Sequence, residues 1–363
     1  VNLTPSPQST LRLAVRGPYL VRPLNSEQTL AEGLVLAQTL VTSGAHGVKL
    51  GASTWPQEVV EVVPTGAGLV VVNDRAYHGL VRIYREGSGK LTAVNVLPLE
   101  QYVSCVIDAE MPAKFPPAAR EAQAIVARSY ALWQMQQAPR DARFDVFATV
   151  RSQHYLGVEY VDGNGRRLAG ESAASRQAAA ATRGKVCQTG GRLFCTYYSA
   201  VCGGATTPGR ELFDDADPVL RSVPCHWCRD SDKYRWTTEL TIDELLTGIR
   251  KSAKGLELTG VTSIRQLAGP QPGTIAKWEI SDGRRRATVD AVSLRQNLPA
   301  GRLLSPHCSL RLDRGKILAE GSGHGHGAGL CQWGARGQAQ AGRSAEEIVR
   351  YYYPGVVVAD WGY

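Results

Sequence analysis

The sequence predicts an α+β fold in which a helical segment packs with a β-rich N-terminal region and a β-rich insertion. Three observations carry this. Alternating apolar runs broken by Gly, Pro and Asn fill residues 1 to about 95. Two helix-forming stretches bounded by prolines follow, and strand-like runs return between 211 and 320. A length of 363 residues with 43% apolar residues excludes a disordered tail or a low-complexity filament, and suits two or three structural units.

Residues 1–95 read as a strand-built platform. Leu11-Arg12-Leu13-Ala14-Val15 alternates, as a half-buried strand does. Gly68-Leu69-Val70-Val71-Val72 and Gly79-Leu80-Val81-Arg82-Ile83-Tyr84 are further strand-like runs. Residues 96–210 open with a helix at Leu97-Pro98-Leu99-Glu100, since proline costs little in a first helical turn. It ends at Met111-Pro112, because the residue before a proline avoids the helical region. A second helix starts at Pro116-Pro117 and runs to about Gln137 through Ala, Arg and Gln, all good helix formers. Ala173 to Thr182 reads as an Ala-rich helix, and Lys185 to Ser199 as a hairpin around Gly190-Gly191. Residues 211–320 read as a β-rich insertion with one short helix near Ile242-Asp243-Glu244-Leu245-Leu246; Ser281-Asp282-Gly283 is a hairpin turn. Residues 321–363 begin with a Gly/His cluster and close with a helix after Ser344. Ser344 with Glu347 three residues on forms a capping box, and Pro354-Gly355 stops the helix.

Lys and Arg number 41 against 33 Asp and Glu, a formal charge of +8. The basic residues are scattered, so the excess reads as a solvated surface compatible with an acidic polymer; no nucleic-acid partner is expected. No apolar run reaches the ~18 residues needed to span a bilayer. The polar opening Val1-Asn2-Leu3-Thr4 is expected to belong to a processed, extracytoplasmic form whose targeting segment has been removed.

The first helix carries the chemistry. Leu99, Val103, Val106 and Glu110 share one face. A carboxylate ending an apolar stripe meets two effects of the same sign. Partial burial disfavours its charged form, and it lies at the negative end of the helix dipole. Both favour the protonated acid that a general acid catalyst needs. The alternative is a Glu that swings into solvent or pairs with an Arg.

Several segments resemble the sporulation stage II protein D and amidase-enhancer family. They are Leu97 to Val103, Ala109-Glu110-Met111-Pro112, Glu121 to Tyr130, Ser152-Gln153-His154-Tyr155-Leu156-Gly157, Cys202-Gly203-Gly204-Ala205-Thr206, Leu294-Arg295 with Leu304-Ser305, Gly325 to Ala335, and Tyr352-Tyr353-Pro354-Gly355. The resemblance runs from about residue 70 to the end. It implies a peptidoglycan lytic transglycosylase cleaving the β-1,4 bond between N-acetylmuramic acid and N-acetylglucosamine in peptide-stripped strands. The family's catalytic Glu falls on Glu110. As acid it would protonate the glycosidic oxygen; as base it would take the proton of the sugar's own 6-hydroxyl, which closes a 1,6-anhydro ring. Intramolecular attack of this kind is worth ~7–11 kcal/mol, so a second carboxylate is not demanded. The resemblance also implies a glycan groove lined by Gln123, Gln153, Tyr155, Thr206, His326 and Gln332, with Arg128 orienting Glu110 or meeting the lactyl carboxylate. For Arg128 a structural salt bridge is the alternative, for His326 a packed turn. Trp133 and Trp333 are candidates for sugar stacking, though a Trp in a helix is more often core. The family's enhancer name implies the competing function, a non-catalytic glycan-binding partner of a cell-wall amidase.

Eight cysteines point to an oxidising compartment or a metal site. Cys225-His226-Trp227-Cys228 is a C-x-x-C. If the family motifs converge, Cys202 and Cys331 come together, and with Cys225 and Cys228 they supply the four thiolates of a structural zinc site. A disulfide arrangement is the alternative, and His226 or His326 could replace one ligand. Some family members look like metal binders through cysteines before the Ser-Gln-x-Tyr motif; here Phe147 and Ser152 stand in those places. Cys187 and Cys195 flank the Gly190-Gly191 turn as a candidate bridge. No cofactor is required for the chemistry.

Overall fold

A computed structural model of the chain describes residues 1–44, 46–252 and 258–362. Two compact units result, one of residues 1–115 and 127–185, the other of 116–126 and 186–362. The fold is α+β, as expected.

In the first unit an eight-stranded sheet orders its strands 167–169, 159–161, 75–77, 69–72, 10–16, 36–44, 47–50 and 53–55. A five-stranded sheet orders 91–96, 80–85, 59–64, 19–23 and 31–33. The alternation of Leu11, Leu13 and Val15 is borne out: all three are buried while Thr10, Arg12 and Arg16 are exposed. Leu13 and Val15 pair with Val72 and Val70, so both strands present their apolar faces to one side.

Helix α1 spans Leu99–Glu110. Pro98 is its N-cap residue, and Met111, extended before Pro112, is its C-cap residue, so prolines delimit it at both ends as expected. Its buried surface is wider than the single stripe read from the sequence. Residues 102–107 are buried without a break, the signature of a helix packed on several sides. Helix α2 covers Pro117–Gln137, its first turns counted with the second unit and the rest with the first. Helix α3, Ala173–Ala181, starts from a Ser172/Ser175 capping box.

The second unit holds short sheets and the remaining helices: α4 (Gly209–Phe213), α5 (Ile242–Ser252), α6 (Ala291–Asn297), α7 (Gln332–Gln340) and α8 (Ala345–Tyr352). The region 211–320 is therefore more helical than the sequence suggested. Its core packs strands 235–240, 308–313 and 316–322, and strands 263–268, 277–281 and 286–290, with α5 and α6 around the fully buried Trp278. Strands 198–199 and 330–331 pair in parallel, Ser199 opposite Cys331. This pairing joins two motifs that lie far apart in the sequence. The capping box of α8 forms as read: Ser344 Oγ accepts the Glu347 N–H at 3.3 Å, and Glu347 Oε2 accepts the Ser344 N–H at 2.8 Å.

Candidate functional site

In the first unit Glu110 is the last residue of α1 and is partly buried. The backbone N–H of His154 donates to its Oε1 at 2.8 Å, holding that oxygen in place. The residues on either side of His154 anchor that N–H. Tyr102 Oη donates to Gln153 Oε1 at 3.0 Å, and Tyr155 Oη donates to Asn95 Oδ1 at 2.8 Å. The Tyr155 ring also stacks on Tyr77 at 5.7 Å. Gln153, Tyr155 and Asn95 have no solvent exposure. Gln153 and Tyr155 are thus not groove-lining groups as expected. Their polar atoms are spent inside the core, where an unpaired polar group would be costly.

Arg128 is likewise fully buried. It grips Glu100 through two parallel bonds of 2.8 and 2.7 Å, and donates to the carbonyls of Lys185 and Ala179. Of its two readings, the structural salt bridge is the one this geometry supports. Sequence reasoning did not single out Glu171. This nearly buried carboxylate accepts from Ser104, from His78 at 3.1 Å and from Arg176 at 3.2 Å. Burial works to raise its pKa, but the bonds from His78, Ser104 and Arg176 outweigh it and hold the group below its usual range.

In the second unit Gln332 is nearly buried at the start of α7, and its Nε2 approaches Gln123 Oε1 at 3.5 Å. Gln123 has no exposure. Thr206 is also buried, its Oγ1 accepting the Val223 N–H at 2.7 Å. Neither offers a surface to a sugar. His326 is partly exposed, and its Nδ1 accepts the Ala328 N–H at 3.0 Å, which puts the neutral ring's proton on Nε2. Its surroundings push its pKa down to about 4, desolvation being the main cause. Tyr197 and Phe213 stack at 4.1 Å beside it, with Phe213 42% exposed. This aromatic pair was missed because its partners are 16 residues apart in sequence.

Cys202, Cys225, Cys228 and Cys331 converge as the motif argument required: their sulfurs all lie within 4.8 Å of one another, and all four residues are buried. His226 is exposed, and neither it nor His326 belongs to the cluster. Phe147 and Ser152 do adjoin, Phe147 N–H to Ser152 Oγ at 3.1 Å, but neither offers a thiol. No disulfide is formed among the eight cysteines, so the Cys187–Cys195 bridge is absent. The register explains it. Gln188 faces Leu193 and Thr189 faces Arg192, and the return strand ends at Leu193, so Cys195 lies beyond the ladder and no position in it faces Cys187 with Cys195.

Residues 87–188 match the family model described as SpoIID, stage II sporulation protein. Stage II sporulation protein D of Bacillus subtilis is 26% identical over 336 residues, covering 90% of this chain and 92% of its own. Over residues 87–188 the chain is similar to the SpoIID family. The SpoIID match contains Glu110, Gln123, Arg128, Gln153 and Tyr155, while the cysteine cluster lies beyond it. An uncharacterised protein of Brachyspira hyodysenteriae is 28% identical over 96% of the chain and 89% of its own length. The amidase enhancer of Bacillus subtilis is 24% identical over 70% of the chain, which spans 40% of that protein's length.

Proposed function

We propose that this SpoIID-like chain acts at the cell wall, outside the cytoplasm, as a peptidoglycan lytic transglycosylase with Glu110 as general acid and then base. The observation that carries this reading is the placement of Glu110. It is a partly exposed carboxylate at the end of a buried helix, one oxygen held by a main-chain donor whose neighbours are both anchored in the core. Such a group is preorganised for proton transfer and need not reorient on meeting a substrate. It would give its proton to the departing glycosidic oxygen. As the 6-hydroxyl attacks the anomeric carbon, the resulting carboxylate would take that hydroxyl's proton, so the acid is regenerated and water is not consumed.

In the second unit the candidates for sugar contact are the exposed Phe213, its stacked partner Tyr197 and the partly exposed His326 ring. Aromatic faces suit the apolar faces of pyranose rings. The amidase-enhancer relative favours a second reading, a glycan-binding partner of a cell-wall amidase that does no chemistry itself. Incubation with peptide-free glycan and mass spectrometry decides between them. The enzyme gives 1,6-anhydro products, and Glu110→Gln lowers their rate by ~10²–10⁴-fold while glycan binding persists. Binding without such products, under conditions where a reference transglycosylase yields them, leaves only the enhancer reading.

A further inference from the structure

We infer that Cys202, Cys225, Cys228 and Cys331 bind one zinc ion as four thiolates, a closed structural site that ties the Gly203-Gly204 segment, the C-x-x-C turn and the N-terminus of α7 together. The inference is independent of whether the chain cleaves glycan.

The spacing is that of metal ligands. A tetrahedron with zinc–sulfur bonds of about 2.3 Å has sulfurs about 3.8 Å apart. Cys202 Sγ and Cys228 Sγ lie 3.7 Å apart, and the remaining pairs stay within 4.8 Å. A disulfide needs about 2.05 Å, and none is formed among the eight cysteines. Four sulfurs also leave no open position, so the site suits structure rather than catalysis.

The surroundings are built for sulfur that carries charge. The N–H groups of Cys202 and Gly334 both donate to Cys331 Sγ at 3.3 Å. Cys331 is the N-cap residue of α7, so its sulfur sits at the helix end where main-chain N–H groups are unpaired within the helix. Tyr352 Oη, fully buried, lies 3.2 Å from Cys225 Sγ and can donate to it. Outer contacts of this kind orient ligands and tune a metal centre. Gly334 completes the cradle: a Cβ there would fall 1.9 Å from Tyr352 Oη and 2.8 Å from Cys225 Sγ.

Geometry also explains why three separate stretches supply the ligands. Strand 198–199 beside strand 330–331 sets Cys202 against Cys331, and the Cys225 N–H bonds to Gly204 O at 2.8 Å. The ion would therefore brace Gln332 and Thr206, each within a few residues of a ligand. Zinc would keep the four thiols of the cluster from oxidation in the extracytoplasmic setting proposed above. The other four, Cys105, Cys187, Cys195 and Cys308, are all buried.

The test uses the full chain, purified from zinc-supplemented cells and dialysed against metal-free buffer. Elemental analysis is expected to give one zinc per chain. An organomercurial should release it to a chromogenic dye in step with modification of four thiols. The denatured, chelated protein should titrate eight thiols. Exchange with Co²⁺ should give the intense visible bands and sulfur-to-metal charge transfer of tetrahedral thiolate coordination. Cys308→Ser should keep the metal and Cys228→Ser should lose it; the wild-type metal and thiol counts stand even if Cys228→Ser fails to fold. Metal-free protein that takes up no Co²⁺ overturns the inference. So does a thiol shortfall mapped to Cys202, Cys225, Cys228 or Cys331, which would mean disulfides within the cluster, or iron in place of zinc.

Discussion

Three helical glycines, two beside the cysteine cluster and one in α5 away from it, provide a graded test of packing. Replacing each with alanine gains the same helix propensity, about 1 kcal/mol. What the new methyl meets differs. At Gly334 in α7 it would sit 1.9 Å from the hydroxyl of Tyr352, a side chain with no exposure and no room to turn away. Real contacts stay above 3.0 Å, so Tyr352 or the helix must shift by roughly 1 Å. That strain costs about 1–3 kcal/mol, and pulling Tyr352 Oη from Cys225 Sγ adds about 1 kcal/mol. Net of propensity, Gly334→Ala should destabilise by about 2 kcal/mol and speed metal release to a chelator. At Gly337 the methyl would lie 2.3 Å from the Trp227 carbonyl, which is backbone and yields less, so the loss should be at least as large. At Gly248 in α5 it meets the ends of Leu294 and Leu298 at 2.8 and 3.1 Å. Leucine termini rotate, so Gly248→Ala should be nearly neutral. Urea unfolding followed by tryptophan fluorescence, at fixed total metal, reads the three differences. Gly334→Ala within about 0.5 kcal/mol of Gly248→Ala would refute the packing argument.

Three further outcomes are expected. His307 is fully buried with its Nε2 against Thr207 Oγ1 at 2.7 Å, and burial pushes its pKa down to about 4. Its folded value lies below the unfolded value of ~6.5, so its contribution is complete above pH ~6.5 and is lost as pH falls toward 4; the loss reaches ~3 kcal/mol. Urea midpoints from pH 7 to 4.5 should fall more steeply for the wild type than for His307→Gln, and parallel slopes would sink the assignment. Glu100→Gln removes the carboxylate from the fully buried Arg128 guanidinium and should cost ~3 kcal/mol or more in the same assay, with part recovered in Glu100→Gln/Arg128→Met. Ser344→Ala deletes both side-chain bonds of the α8 capping box at Ser344 and should lower stability by ~1 kcal/mol, measurable as a shift in Tm.

Local signals in the sequence carried much of the fold. Prolines at 98 and 112 delimit α1, the Ser344/Glu347 pair marks α8, and alternation at Leu11, Leu13 and Val15 marks the strand. Each of these depends on a few neighbouring residues. Helix α7 was not legible, because Gln332–Gln340 carries two glycines and no aliphatic side chain beyond alanine. Its stability comes from tertiary partners instead: the Cys331 cap, the Tyr352 hydroxyl against Gly334, and the Trp227 carbonyl against Gly337. The Cys187–Cys195 pairing failed for a related reason. Equal parity along the chain puts two residues on one face of a single strand, but across a two-residue turn the partner of an odd position is even.

The polar residues of the family-like motifs divide by the same principle, and the division bears on how Glu110 is held. Sequence alone cannot separate a polar side chain that waits for a ligand from one whose partner is far away in the chain. Gln153 and Tyr155 are of the second kind: Tyr102 is 51 residues from the one, and Asn95 is 60 from the other. Buried and satisfied, they cannot slide without leaving polar atoms unpaired, at a cost of about 1–3 kcal/mol each. His154 lies between them, so its N–H is fixed in position, and through that N–H so is the Glu110 carboxylate. The motif thus acts on Glu110 through the main chain. Its tyrosine and glutamine serve as anchors, and the group that reaches the carboxylate is one that any residue at position 154 other than proline would supply.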